Sequence, residues 1–343
     1  MVRRAAGPER GVRLALLRAA LRVLSLPHAA ALRIHHAAFD SGWRKPQRAP
    51  LRVVCVGNLT AGGTGKTPIV AWLAREALAL GKRPAIVLRG YRRGASDGVG
   101  SDEAQLYARI VPNVPVLVDA DRVRAAHAAH ALGADVVLLD DGFQHRRLHR
   151  DVDLVLLDAR DPFGGGAVLP RGFLREPERG LARAHIVVLT RCDRVDAAGL
   201  ADVERRVRDL APRATIVHEV HAPTGLVGLD GAWIADVAAL RGQRVTCVSG
   251  IGDPTTLSET VTRLGATVVR ALDFGDHHEF TAEQLAEVAR ERDADGTRWC
   301  VTTEKDAMRM RSIPSDLPVV ALRIEPRFGD ESEVAALRAT IGS

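Results

Sequence analysis

The feature that most constrains this chain is a glycine-rich segment, NLTAGGTGKT at 58–67, placed between two patterned runs. The apolar run at 51–58 predicts a buried strand, and the pattern at 67–80 predicts a helix that Gly81 ends. A strand, a glycine-rich turn and a helix N-terminus together form a phosphate site, because backbone N–H groups and the positive end of the helix dipole converge there. The segment follows the Walker A pattern GxxxxGK[ST], except that Thr60 replaces the first glycine.

The residues of this segment have expected roles in binding a nucleotide. Lys66 is expected to reach the β- and γ-phosphates, and the Thr67 hydroxyl is expected to hold Mg²⁺. A later apolar run, DVVLLDD at 135–141, fits a Walker B strand whose final carboxylates bind Mg²⁺ or its water. The predicted metal ligands are Thr67, Asp140 and Asp141. The predicted nucleotide-binding residues are Thr60, Ala61, Gly62, Gly63, Thr64, Gly65, Lys66 and Thr67.

The order of apolar runs after Pro50 predicts an α/β protein with a P-loop NTPase-like, doubly wound sheet and a second, smaller α/β domain. Strand-like runs alternate with helical patterns as far as 190, and a second such series begins at 243. The run GLVGLDG at 225–231 has turn glycines and predicts a linker or hairpin. We therefore predict two α/β domains around a cleft. The predicted boundaries are an N-terminal arm at 1–49, a P-loop domain at 50–222, a linker or hairpin at 223–240 and a C-terminal domain at 241–343.

Composition excludes several other classes of protein. Hydrophobic residues make up 46% and charged residues 26%, which is typical of a globular chain and excludes a disordered or fibrous one. The cysteines are few and form no CxxC pair, which excludes a disulfide scaffold and a zinc ribbon. No window of 18 residues lacks a charge, so a standard membrane-spanning helix is not predicted.

The positive charge of the chain is concentrated near its N-terminus. Residues 1–52 carry 11 basic and two acidic side chains, a net charge of +9, whereas the remaining 291 residues carry a net charge of −3. This distribution argues against a nucleic-acid-binding surface across the body and favours an arm that contacts something anionic, such as lipid head groups.

The arm itself predicts an amphipathic helix. Leucines recur at helical spacing, Arg18 and Arg22 lie one turn apart on a neighbouring face, and Pro27 is expected to break or kink the helix. A signal peptide is disfavoured because the two arginines interrupt its apolar region. The helix could pack on the body of the protein, or it could lie in the surface of an anionic membrane with its leucines in the acyl boundary.

A nucleotide site does not by itself name a reaction. The segment TRCD at 190–193, after the apolar run at 185–190, is similar to the [NT]KxD loop that reads guanine in GTPases, although Arg191 replaces the lysine. A GTPase or ATPase switch, or a metallochaperone, is therefore an alternative to an enzyme that transfers phosphate.

Six motifs in order resemble the tetraacyldisaccharide 4′-kinase family, over about residues 14 to 325. The first is VGNLTAGGTGKTP at 56–68, which is similar to that family's own Walker A variant with threonine at the position of Thr60. LDDGFQHRRLHRDVDLVLLD at 139–158 is the most specific stretch. The remaining motifs are LPRGFLREP (169–177), SGIGDP (249–254), DHH (276–278) and TTEKDA (302–307).

The resemblance implies a kinase of two α/β domains around a cleft, with an N-terminal helix that helps to reach the lipid. It would transfer the γ-phosphoryl group of ATP, with Mg²⁺, to the 4′-hydroxyl of a tetraacyl glucosamine disaccharide 1-phosphate. This step of lipid A biosynthesis would occur at the cytoplasmic face of the bacterial inner membrane, with the protein bound peripherally through residues 1–49. No nucleic acid and no obligate protein partner are expected.

The resemblance also assigns residues to the chemistry. A sugar hydroxyl is a weak nucleophile and benefits from a general base. That base would be Asp102, in a loop after the second strand, where the sequence departs from the family's GDEP-like motif on both sides of the Asp-Glu pair. His277 would orient Asp102 or share its proton, whereas His278 fits the family pattern less well. Lys66 completes the catalytic set, and Lys305 is given no role. The substrate-binding residues would be Gln144, His145, Arg171 and Arg175.

Overall fold

The structure, a computed structural model, describes residues 12–90, 102–253, 255–275, 278–310 and 318–342. The chain divides into two compact units. Unit 1 contains Met1–Tyr91, Asn113–His221 and Pro326–Ser343, and unit 2 contains Arg92–Pro112 and Ala222–Glu325. Both units are therefore assembled from separated segments of the chain, whereas the sequence predicts continuous domains.

Unit 1 is built on parallel strands, and those in the middle of the sheet are buried on both faces. The strands are β1 (Arg52–Asn58), β2 (Pro84–Leu88), β3 (Val116–Val118), β4 (Val136–Asp140), β5 (Val152–Asp158), β6 (Ile186–Thr190) and β7 (Thr215–Val227). Their order across the sheet is β7-β6-β5-β1-β4-β2-β3, and each neighbouring pair is parallel. Continuous Val, Ile and Leu in β4 and β6 fit strands that are covered by helices on both sides. The predicted α/β class with a parallel sheet is confirmed.

The described residues form nine α-helices, some of which connect the strands of unit 1 and some of which belong to unit 2. They are α1 (Val12–Asp40), α2 (Lys66–Ala79), α3 (Asp102–Ile110), α4 (Arg122–Ala131), α5 (Ala197–Leu210), α6 (Thr255–Arg263), α7 (Ala282–Asp295), α8 (Glu304–Met310) and α9 (Glu331–Gly342). Short 3₁₀ turns lie at Gly164–Gly166, Glu178–Arg183, Cys192–Arg194 and Val237–Leu240. Helix α2 buries Ile69, Val70, Leu73, Ala74 and Ala77 at helical spacing, which fixes the helix that follows the glycine-rich segment.

The N-terminal helix α1 continues through Pro27, so this proline does not break the helix, and the predicted kink stays a prediction. A proline removes one backbone hydrogen bond from a helix interior. Pro27 is itself exposed. Residues 1–11 and the side chains of Arg18 and Arg22 lie outside what the structure describes.

The remaining strands are β8 (Trp233–Ala235), β9 (Arg244–Ser249), β10 (Thr267–Asp273), β11 (Trp299–Thr303) and β12 (Val319–Phe328). In unit 2, neighbouring strands in the order β10-β9-β11-β12 are parallel, and β8 pairs antiparallel with the end of β7. Helix α3 precedes β3 in sequence but belongs to this unit. The Arg109 guanidinium donates hydrogen bonds of 2.7 Å to the carbonyl oxygens of Gly228 and Leu229.

Within the described residues, no helix is both long and apolar enough to span a membrane.

Candidate active site

The glycine-rich segment forms a turn between β1 and α2 at the carboxyl end of the central strand. Gly65 has a φ of +85° and is the N-cap of α2, which begins at Lys66. Because glycine has no side chain, no capping oxygen competes for the first N–H groups of the helix, which can then bind an anion. The turn thus has the backbone of a phosphate-binding loop, and we call residues 58–67 the phosphate loop.

Thr60 stands where the Walker A pattern has its first glycine, and its surroundings explain the exchange. Thr60 is 6% exposed and forms an antiparallel bridge with Leu174. On either side of this bridge, the Ala61 N–H donates to the Phe173 carbonyl and the Arg175 N–H donates to the Leu59 carbonyl, both at 2.7 Å. Thr60 therefore has the extended backbone of a paired strand residue, which does not require glycine.

A polar cluster joins two residues of the phosphate loop, Asn58 and Lys66, to Asp141 and Arg175. The Lys66 Nζ lies 3.2 Å from Asn58 Oδ1 and 3.4 Å from Asp141 Oδ1. Arg175 Nη1 donates to both carboxylate oxygens of Asp141, at 2.6 and 2.7 Å. Burial disfavours the charge of Asp141, but Lys66 and then Arg175 outweigh this effect and lower the pKa of its carboxyl group.

Asp140 and Thr67 complete the oxygen ligands that the sequence predicts for a metal. Asp140 is the last residue of β4, is 5% exposed and lies opposite Val56 of β1 in the sheet register. Thr67 is in the first turn of α2. Carboxylate and hydroxyl oxygens are hard ligands that suit Mg²⁺, which takes one or two protein groups and completes its shell with phosphate and water. The residues present therefore fit a nucleotide-bound Mg²⁺.

Glu176 is a buried carboxylate that holds one of the predicted substrate-binding residues. Its side chain is fully buried and accepts hydrogen bonds from Arg183 at 2.8 and 2.9 Å and from the Gln144 amide at 3.0 Å. The same amide nitrogen donates to the Asn58 carbonyl at 2.9 Å. Gln144 is thereby fixed against the phosphate loop, and neither Glu176 nor Asn58 was singled out from the sequence.

His145 and Arg171, the other predicted substrate-binding residues, differ in their surroundings. Burial, and then the guanidinium groups of Arg122 and Arg150, lower the pKa of His145 to about 4, so its ring is neutral at pH 7. Arg171 is exposed on the loop that carries Leu174 and Arg175.

The end of α1 packs against other segments of unit 1, close to this region. His36 Nε2 lies 3.3 Å from Glu176 Oε2, and Arg146 forms an ion pair of 2.8 Å with Asp40. The Arg146 guanidinium also lies over the Phe39 ring, 5.2 Å from its centroid. The C-terminal part of the arm is therefore a packed helix, as one of the two interpretations predicts. Near it, Ile34 and Trp43 remain 71% and 77% exposed.

Two further residues, Arg191 and His221, contact the phosphate loop, and Glu219 bonds both of them; no sequence pattern assigns any of the three to the loop. Arg191 of the TRCD segment donates from Nη2 to the Gly63 carbonyl oxygen at 2.9 Å. His221 lies against Gly65, and its Nδ1 is 2.9 Å from Glu219 Oε2. Arg191 belongs to the TRCD segment, and the structure places its side chain against the backbone of the phosphate loop. No motif marks Glu219 and His221.

Asp102 belongs to unit 2, where it is the first residue of helix α3 rather than a loop residue. An acidic residue is favourable at that position because of the helix dipole. Its Oδ2 accepts a hydrogen bond of 2.8 Å from Arg309 Nε, and the Arg309 side chain is 5% exposed. Arg309 also contacts Asp306, which is fully buried.

His277 lies outside the described residues, whereas its neighbour His278 is described. His278 Nε2 lies 2.9 Å from Gln284 Oε1, in the capping box of α7, and its ring packs against Phe274 and Phe280. These contacts make His278 a packing residue of unit 2.

Comparison with known proteins gives consistent results. The family model described as tetraacyldisaccharide-1-P 4′-kinase matches residues 17–341. A curated tetraacyldisaccharide 4′-kinase from Anaeromyxobacter sp. (strain K) is 45% identical, and the alignment covers 96% of this chain and 92% of that protein. One from Syntrophus aciditrophicus (strain SB) is 40% identical, with coverages of 90% and 88%. The crystal structure of LpxK from Aquifex aeolicus in complex with ATP is 27% identical and superposes with a TM-score of 0.73, over 95% of this chain and all of that one (100%).

Proposed function

The chain belongs to the tetraacyldisaccharide-1-phosphate 4′-kinase family, and we propose that it uses ATP to phosphorylate the 4′-hydroxyl of a tetraacyl glucosamine disaccharide 1-phosphate. Membership makes it a lipid kinase of lipid A biosynthesis. The choice of ATP, the metal and the role of each residue belong to the proposal. ATP is supported by the Aquifex aeolicus relative, whose structure was determined with that nucleotide.

The observation that carries the proposal is the phosphate loop with its cluster of cations. Lys66 opens helix α2 beside an N-cap glycine, and Arg175 lies across Asp141 from it. Phosphoryl transfer requires the neutralisation of charge on the transferred group and little covalent help from the protein. Lys66 would bind the β- and γ-phosphates, and the planar guanidinium of Arg175 would bind a phosphate through two N–H groups.

The metal is Mg²⁺ in this proposal, with Thr67, Asp140 and Asp141 as its protein ligands. Bound together with the nucleotide, it would neutralise part of the phosphate charge. Asp141 has a second role that the structure supports, since it holds Lys66 and Arg175 in place.

Asp102 is the proposed general base for the sugar hydroxyl. It would accept the proton of the 4′-hydroxyl as the new O–P bond forms, the bond from the γ-phosphorus to the bridging oxygen breaks, and ADP leaves. Arg309 donates to one of its carboxylate oxygens and would orient it. His277 is proposed to assist Asp102, on the family resemblance alone.

Gln144, His145 and Arg171 are proposed to bind the sugar or its 1-phosphate. The amide nitrogen of Gln144 is used within the protein, which leaves its amide oxygen as the group that could accept from a substrate hydroxyl. Neutral His145 would contribute a hydrogen bond rather than a charge. Exposed Arg171 would contribute a cation.

The protein is proposed to act as a peripheral protein at the cytoplasmic face of the inner membrane, bound through residues 1–49. The net charge near the N-terminus and the exposed Trp43, with Arg44, Lys45 and Arg48 beside it in sequence, fit contact with anionic head groups.

Radiolabelled ATP and the tetraacyl disaccharide 1-phosphate provide the test. We expect a labelled bis-phosphate lipid, formed only with a divalent cation. Hydrolysis of GTP without labelling of the lipid would instead support the nucleotide-switch alternative and overturn the proposal.

A further inference from the structure

Two side chains, Arg191 after β6 and His221 in β7, contact the phosphate loop at Gly63 and Gly65 within unit 1. A third residue, Glu219 in β7, accepts hydrogen bonds from both of these residues. We infer that these residues form a bracket that fixes the phosphate loop in its nucleotide-binding conformation, and that they are positioning residues for the nucleotide phosphates. The inference rests on the proposed function, because it takes the phosphate loop to bind ATP.

Arg191 fixes one peptide group of the loop. Its Nη2 donates to the Gly63 carbonyl at 2.9 Å, and its Nη1 donates to Asp158 Oδ2 at 2.5 Å. Because a trans peptide is planar, the N–H on the far side of that carbonyl, which belongs to Thr64, points in the opposite direction. Arg191 therefore sets the direction of one of the N–H groups that a phosphate loop uses for its ligand.

Glu219 connects Arg191 to His221. Its side chain is fully buried, and Oε2 receives the Arg191 backbone N–H at 3.4 Å and the His221 Nδ1 at 2.9 Å. Since a carboxylate only accepts hydrogen bonds, Nδ1 carries the proton, which fixes the tautomer and the orientation of the ring. The other oxygen, Oε1, has no hydrogen-bond partner among the described residues. A buried acceptor of this kind is unfavourable for folding alone, which is more typical of a functional than of a structural site.

His221 holds the other end of the loop. A Cβ built on Gly65 would lie 2.4 Å from both Cε1 and Nε2 of His221, so the outer edge of the ring occupies the space that a side chain would need. Gly65 has a φ of +85° and directly precedes Lys66. The imidazole therefore packs against the residue that turns the chain into α2, and it limits movement of the backbone there.

The bracket thus holds Gly63 and Gly65, the residues on either side of Thr64. The Thr64 hydroxyl is itself buried and has no hydrogen-bond partner among the described residues. A loop that is already fixed loses less conformational freedom when a phosphate binds, so its preorganisation appears as affinity for the nucleotide. The bracket should therefore act on nucleotide binding and leave lipid binding unchanged.

The experiment is calorimetric titration of the full chain with MgADP, which requires no lipid. Glu219→Gln keeps the shape of the side chain and removes its charge. His221→Asn keeps an amide donor near the position of Nδ1 and removes the outer ring edge. We expect each change to raise the Kd for MgADP by about tenfold, which corresponds to the free energy that one buried hydrogen bond contributes. In turnover assays, KM for ATP should rise while KM for the lipid stays near that of the wild type.

His218→Asn is the matched control. His218 lies on the same strand, and its ring also bonds carboxylates, with Nδ1 2.6 Å from Glu333 and Nε2 3.0 Å from Glu204. It makes no contact with the phosphate loop that the structure describes, so its replacement should lower the melting temperature without changing MgADP affinity.

The possible outcomes distinguish a failure of the bracket from a failure of the proposed function. Wild-type affinity for MgADP in both Glu219→Gln and His221→Asn would overturn the bracket. An equal loss of affinity in His218→Asn would also overturn it, because the effect would then reflect general destabilisation. A wild-type chain that binds neither MgADP nor MgATP would overturn the proposed function itself.

Discussion

Replacement of Lys66 tests the assignment of the phosphate loop most directly. Lys66 is the first residue of α2, and its Nζ lies 3.4 Å from Asp141 Oδ1. From this position the side chain can stay in contact with the γ-phosphoryl group during transfer. Two unit charges about 4 Å apart interact by roughly 4 kcal/mol at the effective dielectric of a protein surface. Loss of one preorganised donor to a developing charge costs about 2.7–4 kcal/mol. Lys66→Ala should therefore lower kcat by about 10²–10³-fold.

The same change should have little effect on the stability of the fold. Asp141 keeps both of its hydrogen bonds to Arg175 when Lys66 is removed, so no buried carboxylate loses its last cation. We expect the free energy of unfolding to fall by less than about 1 kcal/mol, which corresponds to roughly 2–4 °C in melting temperature.

The assay is transfer of label from ATP to the tetraacyl disaccharide 1-phosphate, with melting curves measured on the same samples. Lys66→Met, which keeps the length of the side chain, should match Lys66→Ala, because the charge is what matters. Lys82→Ala, which removes a lysine in the turn that follows α2, serves as the control. If kcat of the Lys66 variants stayed within a few-fold of the wild type, Lys66 would not be the main cation of the transfer step, and the assignment of the loop would fail.

The other predictions concern the base, the arm and a buried histidine. Asp102→Asn should lower kcat by about 10²–10⁴-fold with unchanged MgADP affinity, and wild-type turnover in this variant would exclude Asp102 as the base. Arg309→Gln should lower kcat by a smaller factor, because the Asp102 carboxylate would lose the hydrogen bond that orients it. The double variant Arg18→Glu, Arg22→Glu should reduce flotation with anionic vesicles, since each cation near the membrane surface contributes about 1 kcal/mol to binding. Unchanged flotation would favour a helix that only packs on the body of the protein. His145 has a pKa of about 4 in the folded protein against 6.5 for an unperturbed histidine, so the unfolded chain binds the proton first as pH falls, and stability decreases between about pH 6.5 and 4. Melting curves of the wild type and His145→Gln should therefore diverge over that pH range, and parallel curves would refute the shift.

Much of the fold is predictable from local patterns in this chain. Continuous Val, Ile and Leu predict the buried strands, and glycine after a strand and before a helix predicts the phosphate loop. The predicted helix at 67–80 and the observed helix Lys66–Ala79 differ by one residue at each end. These elements are predictable because their burial and their backbone geometry depend on neighbours in sequence.

Features that depend on distant contacts were not predictable in the same way. Helix α3 follows β2 in sequence, yet Arg109 binds carbonyl groups more than a hundred residues away, which places Asp102 in unit 2. Pro27 would end many helices, yet α1 continues through it. Glu176 and Glu219 appear in sequence as ordinary acidic residues, and only the structure shows that both are fully buried, the first beside Arg183 and the second beside His221.

The exchange of glycine for Thr60 shows how side chains and a neighbouring loop can replace a glycine in shaping a phosphate loop. In the strict Walker A pattern, glycine at the entry permits backbone angles that other residues avoid. Here the entry is extended and paired with Leu174, so its shape comes from hydrogen bonds to the neighbouring loop. At the exit, Gly65 keeps the positive φ that only glycine adopts easily, and His221 lies where a side chain would project. The entry therefore tolerates threonine because a second segment fixes it, whereas the exit does not, and the same loop that pairs with Thr60 carries Arg175 to Asp141. Pairing of Thr60 with Leu174 thus fixes the backbone of the phosphate loop and brings Arg175 to it. This explains why the chain lacks the first glycine of the Walker A motif although the GKT part of the motif is complete.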